Sequence, residues 1–132
     1  MKLLLDASAI LNLSNGGKTE QYIDHATTPL AQYEIGNTFW KKVNLTHELT
    51  ENVAKQYLAK TLETLQFMKK VEIENAETIL EIASREHISY YDASYIHAAA
   101  TSSATLITDD TKLRKMASKY VQASDSQHIP TQ

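Results

Sequence analysis

Met1-Lys2-Leu3-Leu4-Leu5-Asp6 sets three consecutive apolar residues between charged neighbours. So short a run reads as a central strand buried on both faces rather than as a helix. Asp6 then stands at the strand's carboxyl end. A second stretch of this kind, Ala104-Thr105-Leu106-Ile107-Thr108, ends at Asp109-Asp110. In open α/β sheets the ligand site lies in the crevice beyond the strands' carboxyl ends, and Asp6 and Asp110 both take such a position.

Between the two strands the periodicity turns helical. A helix is expected from Ala7 to about Leu13, stopped by Asn15-Gly16-Gly17, and a short one around Thr19 to His25. Thr27-Thr28-Pro29 marks a boundary. Beyond it Ala31, Ile35, Phe39 and Val43 recur on one helical face, and Val53, Tyr57, Leu58, Leu62 and Leu65 stripe a long helix from about Thr50 to Phe67. Val71 and Ile73 suggest a brief edge strand. Ala76, Ile79, Leu80 and Ala83 mark a helix over 75–86, followed by Ser89-Tyr90-Tyr91-Asp92 and then a small-residue helix running to about Ala100. After the second strand come a basic helix from about Thr111 to Lys119 and a last short strand at Tyr120-Val121. Strands alternating with helices indicate an α/β domain with a mostly parallel sheet and helices on both faces.

Composition narrows the class. A length of 132 residues is that of one domain, and 42% apolar residues with three Gly and two Pro favour a compact fold. Cysteine is absent, so disulfides, a thiolate nucleophile and Cys-based zinc sites are excluded. The first apolar run is far shorter than a signal-peptide core or a membrane span, which implies a cytoplasmic protein with no membrane partner. A net charge of −3 opposes non-specific nucleic-acid binding by bulk electrostatics, although a carboxylate-lined pocket would itself supply several of the negative charges.

The acids carry the chemistry. Aspartate is a favoured helix N-cap, Ser89-Tyr90-Tyr91-Asp92 fits the form of a capping box, and Glu34 alone could be a solvated helix residue. Capping does not explain why two strands deliver Asp6 and Asp110 to one edge of a sheet. Carboxylates crowded together repel and raise one another's pKa unless a cation neutralises them. Mg²⁺ does so with hard oxygen ligands while keeping several waters, and a bound divalent ion can activate water and stabilise charge on a phosphate. This reasoning reaches metal-assisted phosphoryl transfer without separating a nuclease from a phosphatase or a metal-binding regulator.

Asp6-Ala7-Ser8-Ala9 after an apolar strand, Glu34-Ile35-Gly36-Asn37 on a helix, Tyr91-Asp92-Ala93-Ser94-Tyr95 opening a helix, and Thr108-Asp109-Asp110 after a late strand resemble, in order and spacing, the acidic motifs of PIN domains of the VapC toxin type. The resemblance implies an endoribonuclease binding one or two Mg²⁺ or Mn²⁺ ions, with an RNA substrate and a small VapB-type antitoxin partner. Asp6, Glu34 and Asp92 match the first three acids, and the pattern Thr-x-Asp selects Asp110 over Asp109 as the fourth. Ser8 and Thr108 match the hydroxyls that support the acids. A PIN-fold RNA-processing or binding protein without a toxin role, or an inactive module, is the alternative.

Other features are less specific. Lys112, Arg114, Lys115 and Lys119, with Lys41 and Lys42, fit either a basic rim that holds phosphates or a solvated helix face. The five histidines lack paired His-x-x-x-His spacing. Trp40, Phe39 and Tyr57 read as core or interface residues, and a homodimer is expected from the apolar surface such helices can spare. A receiver module is disfavoured by the missing acidic pair after the first strand, an Asp-x-Asp phosphatase by Ser8, and a nucleotide site by the lack of a Gly-rich Walker loop.

Overall fold

The computed structural model describes residues 2–130. Strands β1 (Leu3–Leu5), β2 (Ala26–Thr27), β3 (Lys69–Lys70), β4 (Thr105–Ile107) and β5 (Ala123–Ser124) form one sheet in the order β3-β2-β1-β4-β5. Every pairing is parallel. The helices are α1 (Ala7–Asn15), α2 (Leu30–Asn44), α3 (Glu51–Leu65), α4 (Ala76–Glu86), α5 (Tyr90–Thr101) and α6 (Thr111–Ala117), with a 3-10 turn at Thr19–Gln21.

Successive residues of a strand point to opposite faces, and the two central strands show the consequence. Leu3, Leu5 and Ile107 enter a core packed by α1, α2 and α3, whereas Leu4 and Leu106 enter one packed by α4, α5 and α6. Helices therefore cover both faces, as expected for a parallel sheet. On the first face Tyr22 is fully buried, yet its hydroxyl bridges Ser14 Oγ at 2.6 Å and Thr64 Oγ1 at 3.0 Å, which joins α1 to α3. Among the described residues no helix is long and apolar enough to cross a membrane.

Short strands depart most from expectation. Strand β2 runs into the boundary at Thr27-Thr28-Pro29, and its two residues carry no apolar run to announce a strand. The edge strand is Lys69–Lys70 rather than Val71 and Ile73, and the last strand is Ala123–Ser124 rather than Tyr120-Val121. In each case pairing with an existing neighbour chooses the residues: the Lys69 N–H donates to His25 O and the Val71 N–H to Thr27 O. The helix expected around Thr19 to His25 contracts to the 3-10 turn. Leu80 is 59% exposed, and Ile82 takes its place in the core.

These packing differences predict unequal costs of truncation. Leu4→Ala, at the centre of the sheet, should lower the free energy of unfolding by about 2–5 kcal/mol. Leu80→Ala should stay within about 0.5 kcal/mol of wild type. Urea denaturation of both variants checks the assignment, and a comparable loss at Leu80 would contradict it.

Candidate active site

The site is built on the carboxyl edge of β1 and β4. The Asp6 N–H still donates to Ile107 O at 3.1 Å, and the chain then turns into α1 with Asp6 as N-cap. Its Oδ1 accepts from the Ala9 N–H at 3.0 Å and from Ser8 Oγ at 2.7 Å, while Oδ2 accepts from Thr108 Oγ1. The two hydroxyls are themselves held in place. Ser8 Oγ accepts the Asp109 N–H at 3.0 Å, and Thr108 Oγ1 accepts the Asp110 N–H at 3.1 Å. Each hydroxyl thus takes a backbone proton from the aspartate doublet and turns its own proton toward Asp6.

Capping and site geometry coincide instead of competing. Asp110 is the N-cap of α6, its Oδ1 accepting the Leu113 N–H at 3.1 Å. Ser89 caps α5 through the Asp92 N–H at 3.0 Å, which places Asp92 in the first turn of that helix, half-buried. Glu34, on α2 at the margin of the buried stripe Ala31, Ile35 and Phe39, is half-buried, and its Oε1 accepts the Tyr95 hydroxyl at 2.7 Å. Asp109 has a different environment: Oδ2 accepts from Asn12 Nδ2 at 2.6 Å and Oδ1 from the Ser126 N–H at 2.8 Å. Asp109 therefore ties α1 to the segment after β5.

Electrostatics link the expected four. Burial pushes the carboxyls of Asp6, Glu34 and Asp92 above the ordinary range, opposed by the hydrogen bonds each accepts. The charges of Asp6 and Asp92 add to the rise at Glu34, and that of Asp110 to the rise at Asp92. The acids thus form one interacting series, Asp6, Glu34, Asp92, Asp110, and the charge of Asp109 adds to the rise at Asp6. Lys112 is the cation that relieves Asp92. Two other candidates for a basic rim have partners of their own: Arg114 donates to Thr108 O at 3.0 Å, and Lys119 pairs with Glu86 at 2.8 Å. Among the described residues no three acidic or imidazole side chains converge closely enough to enclose a cation by themselves. The donor set, hard carboxylate oxygens, suits a divalent ion that retains part of its water shell.

Sequence reasoning passed over Tyr95, Asn12 and Ser126. Tyr95 had a legible signal, since it lies three residues after Asp92 and so shares its helical face. Asn12 and Ser126 meet Asp109 only through the fold.

The chain belongs to the PIN domain family, which it matches over residues 3–119. Among similar proteins, the Pyrobaculum aerophilum protein named exonuclease VapC9 is 29% identical over 117 residues, 86% of this chain and 84% of that one. The ribonuclease VapC3 of the same organism is 30% identical over 132 residues, 91% of this chain and 95% of that one. The crystal structure of PAE2754 from Pyrobaculum aerophilum is 28% identical, covers 96% of this chain and 92% of its own, and has a TM-score of 0.79.

The crowding of acids predicts a pH-dependent stability. Glu34 holds its proton to higher pH folded than unfolded, so its ionisation costs stability as pH rises above the ordinary carboxyl value of 4.5. Metal-free Glu34→Gln should consequently melt higher than wild type near pH 8, and the difference should narrow as pH falls toward about 5. Calorimetry at both pH values tests this; taking the difference cancels His25, whose lowered pKa acts oppositely in both proteins.

Proposed function

We propose that this protein is a Mg²⁺- or Mn²⁺-dependent endoribonuclease, acting in the cytoplasm as the toxin of a VapBC-type pair, with the whole chain serving as one nuclease domain. The observation that carries the reading is the interacting series Asp6, Glu34, Asp92 and Asp110 at the carboxyl edge of a parallel sheet, three of them with raised pKa values. The names of the relatives, one a ribonuclease and the other an exonuclease, agree on nucleic-acid cleavage.

Asp6, Asp92 and Asp110, with Glu34, are the residues that would hold the metal. When bound, the ion supplies an acidified water and stabilises the charge that builds on the phosphate. The protein's own contribution is orientation. Ser8 and Thr108 fix both oxygens of Asp6, and Tyr95 turns Glu34 by one oxygen. Glu34, with a raised pKa and an aspartate on either side in the series, is suited to receive a proton from an attacking water. Lys112 stands near Asp92, where an entering phosphate can be met by positive charge.

Single-stranded RNA is the proposed substrate, since an unpaired strand bends its phosphates into a small cleft more readily than a duplex. A circular single-stranded RNA has no ends, so its linearisation distinguishes an endonuclease from an exonuclease. Cleavage should stop with chelator and return with excess Mg²⁺ or Mn²⁺; equal cleavage in both conditions, by protein free of contaminating nuclease, would refute the metal role.

The adjacent aspartates separate by their partners. Asp110→Asn keeps the α6 cap but removes the charge, and should reduce cleavage by about 100-fold or more, a typical loss for a group that acts through charge in the transition state. Asp109→Asn should retain most of the cleavage and lose about 1 kcal/mol of stability, because one of its two accepted hydrogen bonds is compromised. Rates and urea midpoints measured side by side decide it. Activity surviving in Asp110→Asn but lost in Asp109→Asn would move the fourth acid by one position.

The protein is also proposed to be a homodimer that binds a small VapB-type antitoxin. Tyr33 and Phe67, each 71% exposed, with Trp40 and Tyr91, leave apolar area available for association. Light scattering that returned a monomer mass over a wide concentration range would exclude the dimer.

A further inference from the structure

The residues just after β5 lie beyond residues 3–119, the part of the chain that matches the PIN domain family. Asp125, Ser126, Gln127 and His128 form a closed turn there. Asp125 Oδ1 accepts the Gln127 N–H at 3.0 Å and lies 2.7 Å from His128 Nδ1, while Ser124 Oγ donates to His128 O at 2.6 Å. Ile129, the next residue, packs against the core on the face of α1, α2 and α3. The turn is therefore anchored at both ends, by β5 and by Ile129.

From this position it holds two residues of the β4–α6 connection. The Thr108 N–H donates to Ser124 O at 2.9 Å, and the Ser126 N–H donates to Asp109 Oδ1 at 2.8 Å. A third contact runs through a side chain. Asp125 Oδ2 stands 3.9 Å from Arg114 Nη1, and the same nitrogen donates to Thr108 O at 3.0 Å. The guanidinium thus sits between a carboxylate on the turn and a carbonyl at the end of β4.

Thr108 and Asp109 stand directly behind both oxygens of Asp6. The Thr108 hydroxyl donates to Oδ2; the Asp109 N–H donates to Ser8 Oγ, which donates to Oδ1. Groups that orient the partners of a metal ligand influence the metal almost as the ligands do. An ion pair as exposed as Arg114 and Asp125 adds little to overall stability, so its consequence falls on the placement of Thr108.

We propose that Asp125 is a positioning residue for the acidic site: through Arg114 it fixes the Thr108 carbonyl, and with it the hydroxyl that orients Asp6. The proposal rests on the metal-dependent nuclease reading above. The competing account has Arg114 contact an RNA phosphate directly, with Asp125 only weakening its charge.

The test uses the full-length protein and the variant Asp125→Asn, which keeps an acceptor for the Gln127 N–H and removes the charge facing Arg114. Asp109→Asn leaves this route intact and serves no such purpose. In metal-free protein, hydrogen exchange followed by NMR should be faster in Asp125→Asn at the Asp109 and Asp110 amides, which donate to Ser8 and Thr108, and unchanged at Ile96 in α5. Mn²⁺ titrated by calorimetry should bind about tenfold more weakly, the low end of losses typical when a partner of a metal ligand is removed. At fixed, subsaturating Mn²⁺, kcat on single-stranded RNA should fall with KM unmoved. Arg114→Gln should behave alike, and the double variant should fall no further than Arg114→Gln alone, because Asp125 acts through that guanidinium. An Asp125→Asn variant that keeps either the wild-type Mn²⁺ affinity or the wild-type exchange at Asp109 and Asp110 would overturn the proposal. A lowered KM would overturn it in favour of the phosphate contact, and exchange accelerated equally at Ile96 in favour of a general loss of stability. A wild type that cuts no RNA would instead defeat the nuclease reading, and the exchange measurement would still decide whether Asp125 holds the turn.

Discussion

The Asp6 carboxylate, buried between β1 and β4 and satisfied on both oxygens, is the constraint on which the rest of the site depends. Ionising a carboxyl at a buried position is costly unless donors surround it. Here the Ala9 N–H and the hydroxyls of Ser8 and Thr108 do so. Because those hydroxyls also accept the N–H groups of Asp109 and Asp110, the turn from β4 into α6 is held by the same contacts that orient Asp6. The two strand ends consequently keep a fixed relation, and the Asp109-Asp110 turn is held against Asp6 through the Ser8 and Thr108 hydroxyls.

The remaining acids arrive from helices on opposite faces of the sheet. Glu34 is carried by α2, which packs on the face lined by Leu3 and Leu5, and Asp92 by α5, which packs on the face lined by Leu4. The Tyr95 hydroxyl reaches from α5 to Glu34 and joins the two faces at the carboxyl edge. Burial then has opposed effects. It raises the cost of each negative charge while the shared hydrogen bonds lower it, leaving a row of carboxylates whose mutual repulsion a divalent cation would relieve.

The folded chain also reconciles two readings that look exclusive in the sequence. Asp6 and Asp110 are both helix caps and members of the acidic series. A carboxylate has about four lone-pair directions; capping occupies one, and at Asp6 the Ser8 and Thr108 hydroxyls occupy two more. Helix initiation therefore fixes the carboxyl's orientation and leaves acceptor capacity for a cation. Asp109 differs in what it joins, since its oxygens accept from Asn12 on α1 and from the Ser126 N–H beyond β5 and cap no helix.

What was legible in the sequence was whatever local pattern determines. The apolar runs Leu3–Leu5 and Thr105–Ile107 marked central strands because residues buried on both faces cannot alternate in polarity. The stripe Ala31, Ile35, Phe39 marked α2, and Asp6 and Asp110 followed as strand-end acids. Tertiary structure decided the rest, for reasons of distance along the chain. Strands β2, β3 and β5 are two residues long and exist only through hydrogen bonding with a neighbouring strand, so no periodicity could announce them. The pairing of Tyr95 with Glu34 spans 61 positions, and that of Asn12 with Asp109 spans 97. Such contacts are set by which helix packs on which face of the sheet. The same packing brings Asp125 to Arg114 and Ser126 to Asp109, although none of them carries any mark of it in its immediate sequence.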